Sequence, residues 1–189
     1  MNNTIAFDID GVCVDIVSHI AKVMLRDEGV DISRPATEYN YFKAYPALST
    51  GMVMRTFHTV LCNPQDTKII PGTTEVLGRL YEASEDPVTF ITARNPRYVE
   101  ETYELVRSFC FVPFMISFSH KVGKLKFMNG FEAFVDDRRK ICLELAMAGK
   151  TAYMPKRSYN KLVSKNSGIV ELFSLTDLKD RINLFTTRS

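Results

Sequence analysis

The sequence predicts an α/β fold: a Rossmann-like parallel sheet with helices on both faces and a small helical cap inserted after the first strand. Three observations predict it. Short apolar runs of strand length alternate with longer stretches of helical periodicity along most of the chain. Several of the apolar runs end abruptly in polar or acidic residues. One stretch, residues 30–70, interrupts the alternation and contains no strand-like pattern.

The composition excludes several classes of protein. A chain of 189 residues can hold one core domain and a modest insertion, and its 46% hydrophobic and 24% charged content is typical of a soluble globular protein. The net charge of +2 is too small to favour a nucleic-acid or membrane surface. The four cysteines are far apart and include no CxxC pair, which favours reduced thiols in a cytoplasmic protein over zinc or a disulfide framework.

The first strand ends in two carboxylates, Asp8 and Asp10, followed by Gly11. Side chains alternate along a strand, so both acids fall on one side, and glycine allows the chain to turn after them. Ligands bind at this edge of open α/β sheets, where two uncompensated carboxylates are costly unless a cation is bound. An EF-hand loop is excluded, because the positions that require Gly and Glu hold Cys13 and His19.

The remaining elements follow in order. A helix is predicted over residues 15–28 with Gly29 closing it, and the interrupting stretch contains a short helix at 49–61 among clustered aromatic residues. We assign residues 1–29 and 71–189 to the core and residues 30–70 to the cap. Further predicted strands are 87–92, 112–118, 131–137, 151–154 and an edge strand at 168–172; further predicted helices are 73–83, 95–109, a short one ending at 129, 138–148 and one that begins at 174.

Polar residues follow three of the predicted strands. Besides Asp8 and Asp10, Thr92 ends the second core strand, and Asp136 and Asp137 end the fourth. Strands of a parallel sheet share one direction, so their carboxyl ends lie at one edge. The sequence therefore predicts that these side chains converge.

The motifs together resemble those of the haloacid dehalogenase (HAD) superfamily of phosphatases. They read FDIDG at the first strand, FITAR at the second, a lysine before the fourth, and FVDDR at the fourth, and they appear in the expected order from Ile5 to Arg138. The insertion has the usual position of a cap. Within the superfamily, the stretches DIDGVCVD, ITARNP, VDDR and LAMAGKTAYMPKRSYN resemble the branch of 5′-nucleotidases and 5′(3′)-deoxyribonucleotidases.

This resemblance implies a Mg²⁺-dependent phosphomonoesterase. Asp8 would be the nucleophile that forms an aspartyl-phosphate, and the side chain of Asp10 would be the general acid and base. Mg²⁺ would bind Asp8, the backbone carbonyl of Asp10 and one of Asp136 and Asp137, with Asp136 favoured.

The resemblance also assigns the contacts with substrate. Thr92 and the backbone N–H of Ala93 would bind the phosphoryl group, and Arg94 would contact the substrate phosphate. The family spacing favours Lys121 as the lysine that neutralises the phosphoryl group, with Lys124 and Lys126 as competitors. The aromatic side chains of Tyr41 and Phe42 would stack on a base or form the core of the cap itself.

The expected partner is a small phosphorylated substrate, first a (deoxy)nucleoside monophosphate. The nucleotidases usually carry an aromatic residue where this chain has Ile16, and Thr-Ser-Pro where it has Thr-Ala-Arg. A 3′-phosphatase acting on nucleic-acid ends, a phosphatase of another small phosphoester, and a binding module without turnover therefore stay open. We expect no membrane contact and no stable nucleic-acid complex, and a homodimer is a further possibility.

Overall fold

The structure is a computed structural model that describes residues 5–32, 45–160 and 168–185. Its strands, in chain order, are β1 (Ile5–Phe7), β2 (Val14–Asp15), β3 (Lys68–Ile69), β4 (Val88–Thr92), β5 (Phe114–Phe118), β6 (Ala133–Val135), β7 (Thr151–Pro155) and β8 (Ile169–Leu172). Its α-helices are α1 (Ile16–Glu28), α2 (Thr50–Cys62), α3 (Thr73–Ser84), α4 (Val99–Arg107) and α5 (Arg139–Met147). Four 3₁₀ segments cover Pro64–Asp66, Pro96–Tyr98, Lys124–Phe127 and Leu175–Phe185.

Six strands form one parallel sheet in the order β5-β4-β1-β6-β7-β8. The first strand of the chain thus lies in the middle, with β4 on one side and β6 on the other. This arrangement confirms the predicted fold class, and it brings the carboxyl ends of the three strands that carry the predicted acids and hydroxyl next to one another.

Helices cover the sheet because its strands are apolar on both faces. Ile5 and Phe7 of β1 pack in one buried cluster with residues of α3 and α4, whereas Ala6 packs in another with residues of α5. A strand with both faces buried reads as a continuous apolar run in the sequence, as β1 does. The sheet is therefore buried on both faces, and the loops that follow its strands project from its edge.

The insertion leaves and re-enters the core through β2 and β3, which pair antiparallel with Asp15 opposite Lys68. Between these crossings, α1 and α2 pack together in a third apolar cluster, which includes Ile20, Val23 and Val60. The prediction assigned α1 to the core, but its apolar face packs on α2 of the insertion. Amphipathic periodicity indicates that a helix has a buried face and leaves open which element covers it.

One prediction falls on residues that this description does not include. Tyr41 and Phe42, the predicted stacking residues, lie outside the described residues, so their role stays a prediction.

The four cysteines are free thiols, and among them only Cys62 is exposed. Of the helices in the described ranges, none combines the length and the apolar character needed to cross a bilayer.

Candidate active site

Asp8 stands at the carboxyl end of β1 in the middle of the sheet. Its N–H donates to the carbonyl of Val135 in β6 over 2.8 Å, which continues the ladder one residue past the strand. One oxygen of its carboxylate, Oδ1, accepts the N–H of Ile9 at 2.8 Å. Only 4% of the residue is exposed. The carboxylate is thus fixed at the sheet edge by its own strand and by the turn that follows.

Gly11 allows this turn to lie against the second acid pair. Its φ of +77° is in the left-handed region, and a Cβ atom at this position would lie 2.1 Å from Oδ2 of Asp137. Any larger residue would therefore both strain the backbone and push the carboxylate away. The glycine of the FDIDG motif is needed for the close approach of the two acidic loops.

Lys124 is the cation that binds both acidic loops. Its Nζ lies 2.6 Å from Oδ2 of Asp8 and 2.6 Å from Oδ2 of Asp136, and its side chain is 2% exposed. Burial alone would lower the pKa of Lys124, but the carboxylates of Asp136 and Asp8 raise it above its ordinary value, so the lysine stays charged. The sequence spacing favoured Lys121 for this position, and the structure corrects that assignment.

The correction has a local cause. Lys121 is exposed and lies in a turn with a φ of +63°, and the chain then passes through Gly123 before the 3₁₀ segment begins at Lys124. The number of residues between a lysine and the FVDDR motif does not show which of these residues form a turn. The lysine that follows the turn, rather than the one within it, points inward.

The two acids of the second pair have different surroundings. Oδ2 of Asp136 binds Lys124, and its Oδ1 accepts the N–H of Arg138 at 2.7 Å. Oδ2 of Asp137 accepts the hydroxyl of Tyr159 at 2.5 Å, whereas its buried Oδ1 has no hydrogen-bond partner among the described residues. Both oxygens of Asp136 thus accept a hydrogen bond, whereas Oδ1 of Asp137 accepts none, which favours Asp137 over Asp136 as the metal ligand.

The acid cluster fits a divalent cation. Asp8, Asp136 and Asp137 each offer a ligand atom within 4.8 Å of the others. Burial raises the pKa of Asp8 to about 7 although Lys124 opposes the shift, and burial together with Asp136 and Asp8 raises the pKa of Asp137 to about 8. Buried carboxylates with raised pKa values and an unpartnered oxygen are a donor set that suits a hard cation.

Arg94 forms a two-point ion pair with Asp10. Its Nε and Nη2 lie 2.9 and 2.7 Å from the two oxygens of the Asp10 carboxylate. The residue is 6% exposed, and its Nη1 finds no hydrogen-bond partner within the described parts of the chain. The sequence predicted a substrate contact for Arg94. The structure shows that two of its nitrogens hold the predicted acid–base residue, which leaves one for another ligand.

Thr92 and Ala93 occupy the carboxyl end of β4, the neighbour of β1. Thr92 is fully buried, and its hydroxyl oxygen accepts the N–H of Arg94 at 3.2 Å. Ala93 lines the cavity described below together with Asp8. The predicted phosphoryl contacts therefore lie at the same edge as the predicted nucleophile.

Three residues after β7 support the site, and the sequence analysis gave them no role. Arg157 donates from Nε and Nη2 to the carbonyl of Gly11 at 3.2 and 2.8 Å, and Tyr159 donates to Asp137. The amide of Asn160, 1% exposed, donates to the carbonyls of Asp137 and Pro155, each at 2.8 Å. The only available signal was their place in the stretch MPKRSYN, which contributed to the resemblance.

A cavity of about 320 Å³ lies between the sheet edge and the insertion. Its floor is polar and contains Asp8, Asp10 and Arg94. Its opposite wall comes from α1 and α2 and is apolar except for His58. The apolar residues of this wall are Ile16, Val17, Ile20, Met54, Phe57 and Leu61. A molecule bound here would present a charged group to the floor and an apolar surface to the insertion.

Comparison with solved structures identifies the fold. A conserved haloacid dehalogenase-like protein of unknown function from Agrobacterium tumefaciens is 17% identical, with a TM-score of 0.65 over 97% of this chain and 99% of that one. A HAD-family hydrolase from Deinococcus radiodurans with bound phosphate and sodium is 14% identical, with a TM-score of 0.66 over 99% and 98%. CbbY from Rhodobacter sphaeroides, in complex with phosphate, is 13% identical, with a TM-score of 0.58 over 94% and 96%.

No protein-family model and no curated protein matches the sequence. At these low identities the structural similarity shows the fold alone. The chain therefore has the HAD-like α/β fold, and its chemistry must be argued from its own site.

Proposed function

We propose that this protein is a Mg²⁺-dependent phosphomonoesterase that acts through an aspartyl-phosphate on Asp8, with (deoxy)nucleoside monophosphates as the first candidate substrates. The observation that carries the proposal is the bridge from Lys124 to Asp8 and Asp136, beside the unpartnered oxygen of Asp137. The ammonium group of Lys124 and a metal ion bound at Asp137 would both lie close to the carboxylate of Asp8. Such an arrangement suits attack on a dianion.

Each part of this cluster has a role in the proposed chemistry. The carboxylate of Asp8 would attack the phosphorus atom and carry the phosphoryl group after the alcohol leaves. Lys124 would neutralise the negative charge that develops on the phosphoryl oxygens next to Asp8. Asp8, Asp137 and the backbone carbonyl of Asp10 would hold Mg²⁺, which supplies charge neutralisation between the carboxylate and the phosphate when it is bound.

Asp10 would transfer the proton. Its side chain would protonate the leaving alkoxide and later accept a proton from the water that hydrolyses the aspartyl-phosphate. The two hydrogen bonds from Arg94 fix the direction of this carboxylate and limit its rotation. The third nitrogen of the same guanidinium group, Nη1, would then donate to the substrate. Arg94 would thus position the carboxyl group of Asp10 relative to the bound phosphomonoester.

Two other kinds of chemistry fit the site less well. Dehalogenation uses the same nucleophile and needs no metal, so the buried pair Asp136 and Asp137 would have no purpose. A binding module without turnover would not need the nucleophile, the acid–base residue and the lysine together at one edge. A 3′-phosphatase acting on nucleic-acid ends would use the same catalytic residues, so only its substrate distinguishes it from a nucleotidase.

A panel of phosphomonoesters tests the proposal directly. Nucleoside 5′-monophosphates, 3′-phosphorylated oligonucleotides, sugar phosphates and p-nitrophenyl phosphate are compared with and without Mg²⁺. We expect Mg²⁺-dependent release of phosphate, most efficiently from a nucleoside monophosphate. Full activity in excess EDTA would contradict the metal assignment, and no hydrolysis of any ester would contradict the function.

The stability of the metal-free protein should depend on pH. Folded Asp8 and Asp137 hold protons up to about pH 7 and 8, whereas in the unfolded chain they release them near pH 4. Between these values the folded state binds more protons, so the free energy of unfolding decreases as pH rises. In EDTA we expect the melting temperature to fall by about 4 °C or more from about pH 5 to about pH 8.

Mg²⁺ should reverse this trend, because it binds the ionised carboxylates and competes with their protons. Thermal unfolding with and without Mg²⁺ across the same pH range provides the comparison. A melting temperature that rises with pH in EDTA would show that the two carboxyls are not buried as neutral groups.

The apolar wall should select the alcohol part of the substrate. Phe57 of α2 is half-buried and lines the cavity above Asp8 and Arg94. Stacking of a base on an aromatic ring contributes about 1–3 kcal/mol, so Phe57→Ala should raise the KM for a nucleotide by about 5–150-fold. The rate with p-nitrophenyl phosphate should change little, since this small ester relies on the polar floor.

Phe111→Ala is the matched control, because Phe111 is 77% exposed and is not among the residues that line the cavity. Equal losses of Phe57→Ala on both substrates would show that the ring is structural, and sugar phosphates or other small esters would become the first candidates.

A further inference from the structure

A second cavity, of about 400 Å³, adjoins the first. Ala93, His120 and Arg138 line both cavities, and Lys124 lines the second. The ammonium group of Lys124 binds Asp8, so the second cavity opens beside the position proposed for the phosphoryl group. The chemistry proposed above makes no use of this space.

Positive charge dominates the walls of the second cavity. Lys121, Arg138 and Lys140 line it, and Glu144 is the one carboxylate among its described lining residues. Nζ of Lys140 lies 3.9 Å from Oε1 of Glu144, and because the Lys140 side chain is 82% exposed, this ion pair is weak. The lining of this cavity therefore carries more cationic side chains than carboxylates.

The backbone around this cavity includes a tight turn and the start of a helix. Val122 and Gly123 donate their N–H groups to the carbonyl of Ser119, each at 3.0 Å, and this turn holds Lys121 at a φ of +63°. A lysine in the left-handed region costs conformational energy that a glycine would not, so its presence suggests use of its side chain. The helix α5 begins at the same cavity with no acidic residue in its first turn, which adds a positive dipole end.

We propose that the second cavity is a binding site for a second phosphate group carried by the same substrate molecule. The inference rests on the proposed phosphatase function: one phosphate would lie at Asp8 for hydrolysis, and the other would be held by Lys121 and Lys140. The second group is either a phosphomonoester, as in a nucleoside bisphosphate, or the first phosphodiester of a short oligonucleotide. Both offer anionic phosphate oxygens to the lysines, the monoester with the larger charge.

The test compares three substrates: deoxyadenosine 5′-monophosphate, deoxyadenosine 3′,5′-bisphosphate and a 5′-phosphorylated dinucleotide. With the wild-type protein at low salt, we expect kcat/KM to be about tenfold higher for at least one of the two substrates with a second phosphate. The advantage should shrink as salt increases, because the lysines are exposed. The substrate with the larger advantage identifies the source of the second phosphate.

The variant Lys121→Gly/Lys140→Ala should reduce this ratio of kcat/KM values to about one. Glycine suits the left-handed backbone at position 121, so the melting temperature should not fall, whereas loss of a structural lysine would lower it. Lys126→Ala is the matched control. This lysine is exposed in the neighbouring 3₁₀ segment and is not among the residues lining either cavity.

The inference is overturned if the wild-type protein shows no preference, or if the double variant keeps it. Calorimetric titration of the wild-type protein and the double variant with the bisphosphate and the monophosphate separates this result from failure of the proposed function. A protein that hydrolyses no ester but binds the bisphosphate more tightly through these lysines would refute the phosphatase and support the anion site.

Discussion

Asp8→Asn should reduce phosphomonoester hydrolysis to below about a hundredth of the wild-type rate. The carboxylate of Asp8 is the one described acid that both contacts Lys124 and lines the cavity at the end of the central strand. Asparagine keeps the shape of the side chain and the hydrogen bond from Ile9 but cannot attack phosphorus. Phosphate release under saturating Mg²⁺ is the measurement.

The same change should leave the fold intact. Asparagine loses the acceptor that Oδ2 of Asp8 presents to Lys124, so the melting temperature in EDTA should fall modestly while the protein remains folded. Asp86→Asn, at an exposed position before β4, is the control and should behave as wild type. Folded Asp8→Asn protein with substantial activity would remove Asp8 from the nucleophile role.

Lys124→Met should affect both activity and stability. Removal of the ammonium group leaves Asp8 and Asp136 buried beside each other without their shared cation. Breaking a buried ion pair in this way costs about 3–5 kcal/mol of stability. Loss of a charged group that stabilises the transition state should also lower kcat by about a hundredfold or more. Chemical denaturation and steady-state kinetics measure the two losses.

Lys124→Arg keeps the positive charge and provides a second variant if Lys124→Met does not fold. Lys126→Met is the control and should leave stability and the rate with p-nitrophenyl phosphate unchanged. Lys121→Met separates the two lysines, because it should cost far less than Lys124→Met on a simple monophosphate. An inactive Lys121→Met protein beside an active Lys124→Met protein would restore the assignment that motif spacing favoured.

The convergence of the acids could be predicted from the sequence, because it depends on local patterns and on one topological rule. Apolar runs such as Ile5–Phe7 mark the strands, and parallel pairing places the residues that follow them at one edge. The proximity of Asp8, Thr92 and Asp136 could therefore be predicted without knowledge of side-chain packing.

The other features depend on contacts between distant segments, which no local pattern records. Which of Lys121 and Lys124 faces Asp8 depends on the conformation of the turn that contains Lys121. Which of Asp136 and Asp137 has an oxygen available to a metal ion depends on the contact of Asp136 with Lys124. Arg157 acts on Gly11 across most of the chain length. Such pairings arise only when the sheet has brought the loops together.

The position of Tyr98 determines which residues would have to move together if the insertion were transplanted into another protein. It follows the FITAR motif in the core, yet it is buried in the apolar cluster of α1 and α2, where its hydroxyl lies 2.9 Å from Nδ1 of His58 and also contacts Arg97. One side chain of the core thus completes the interior of the insertion. A chimera that replaces only the segment between β2 and β3 would leave this ring without its pocket. The unit that can be transplanted therefore consists of two separate stretches of sequence, the insertion and the turn around Tyr98.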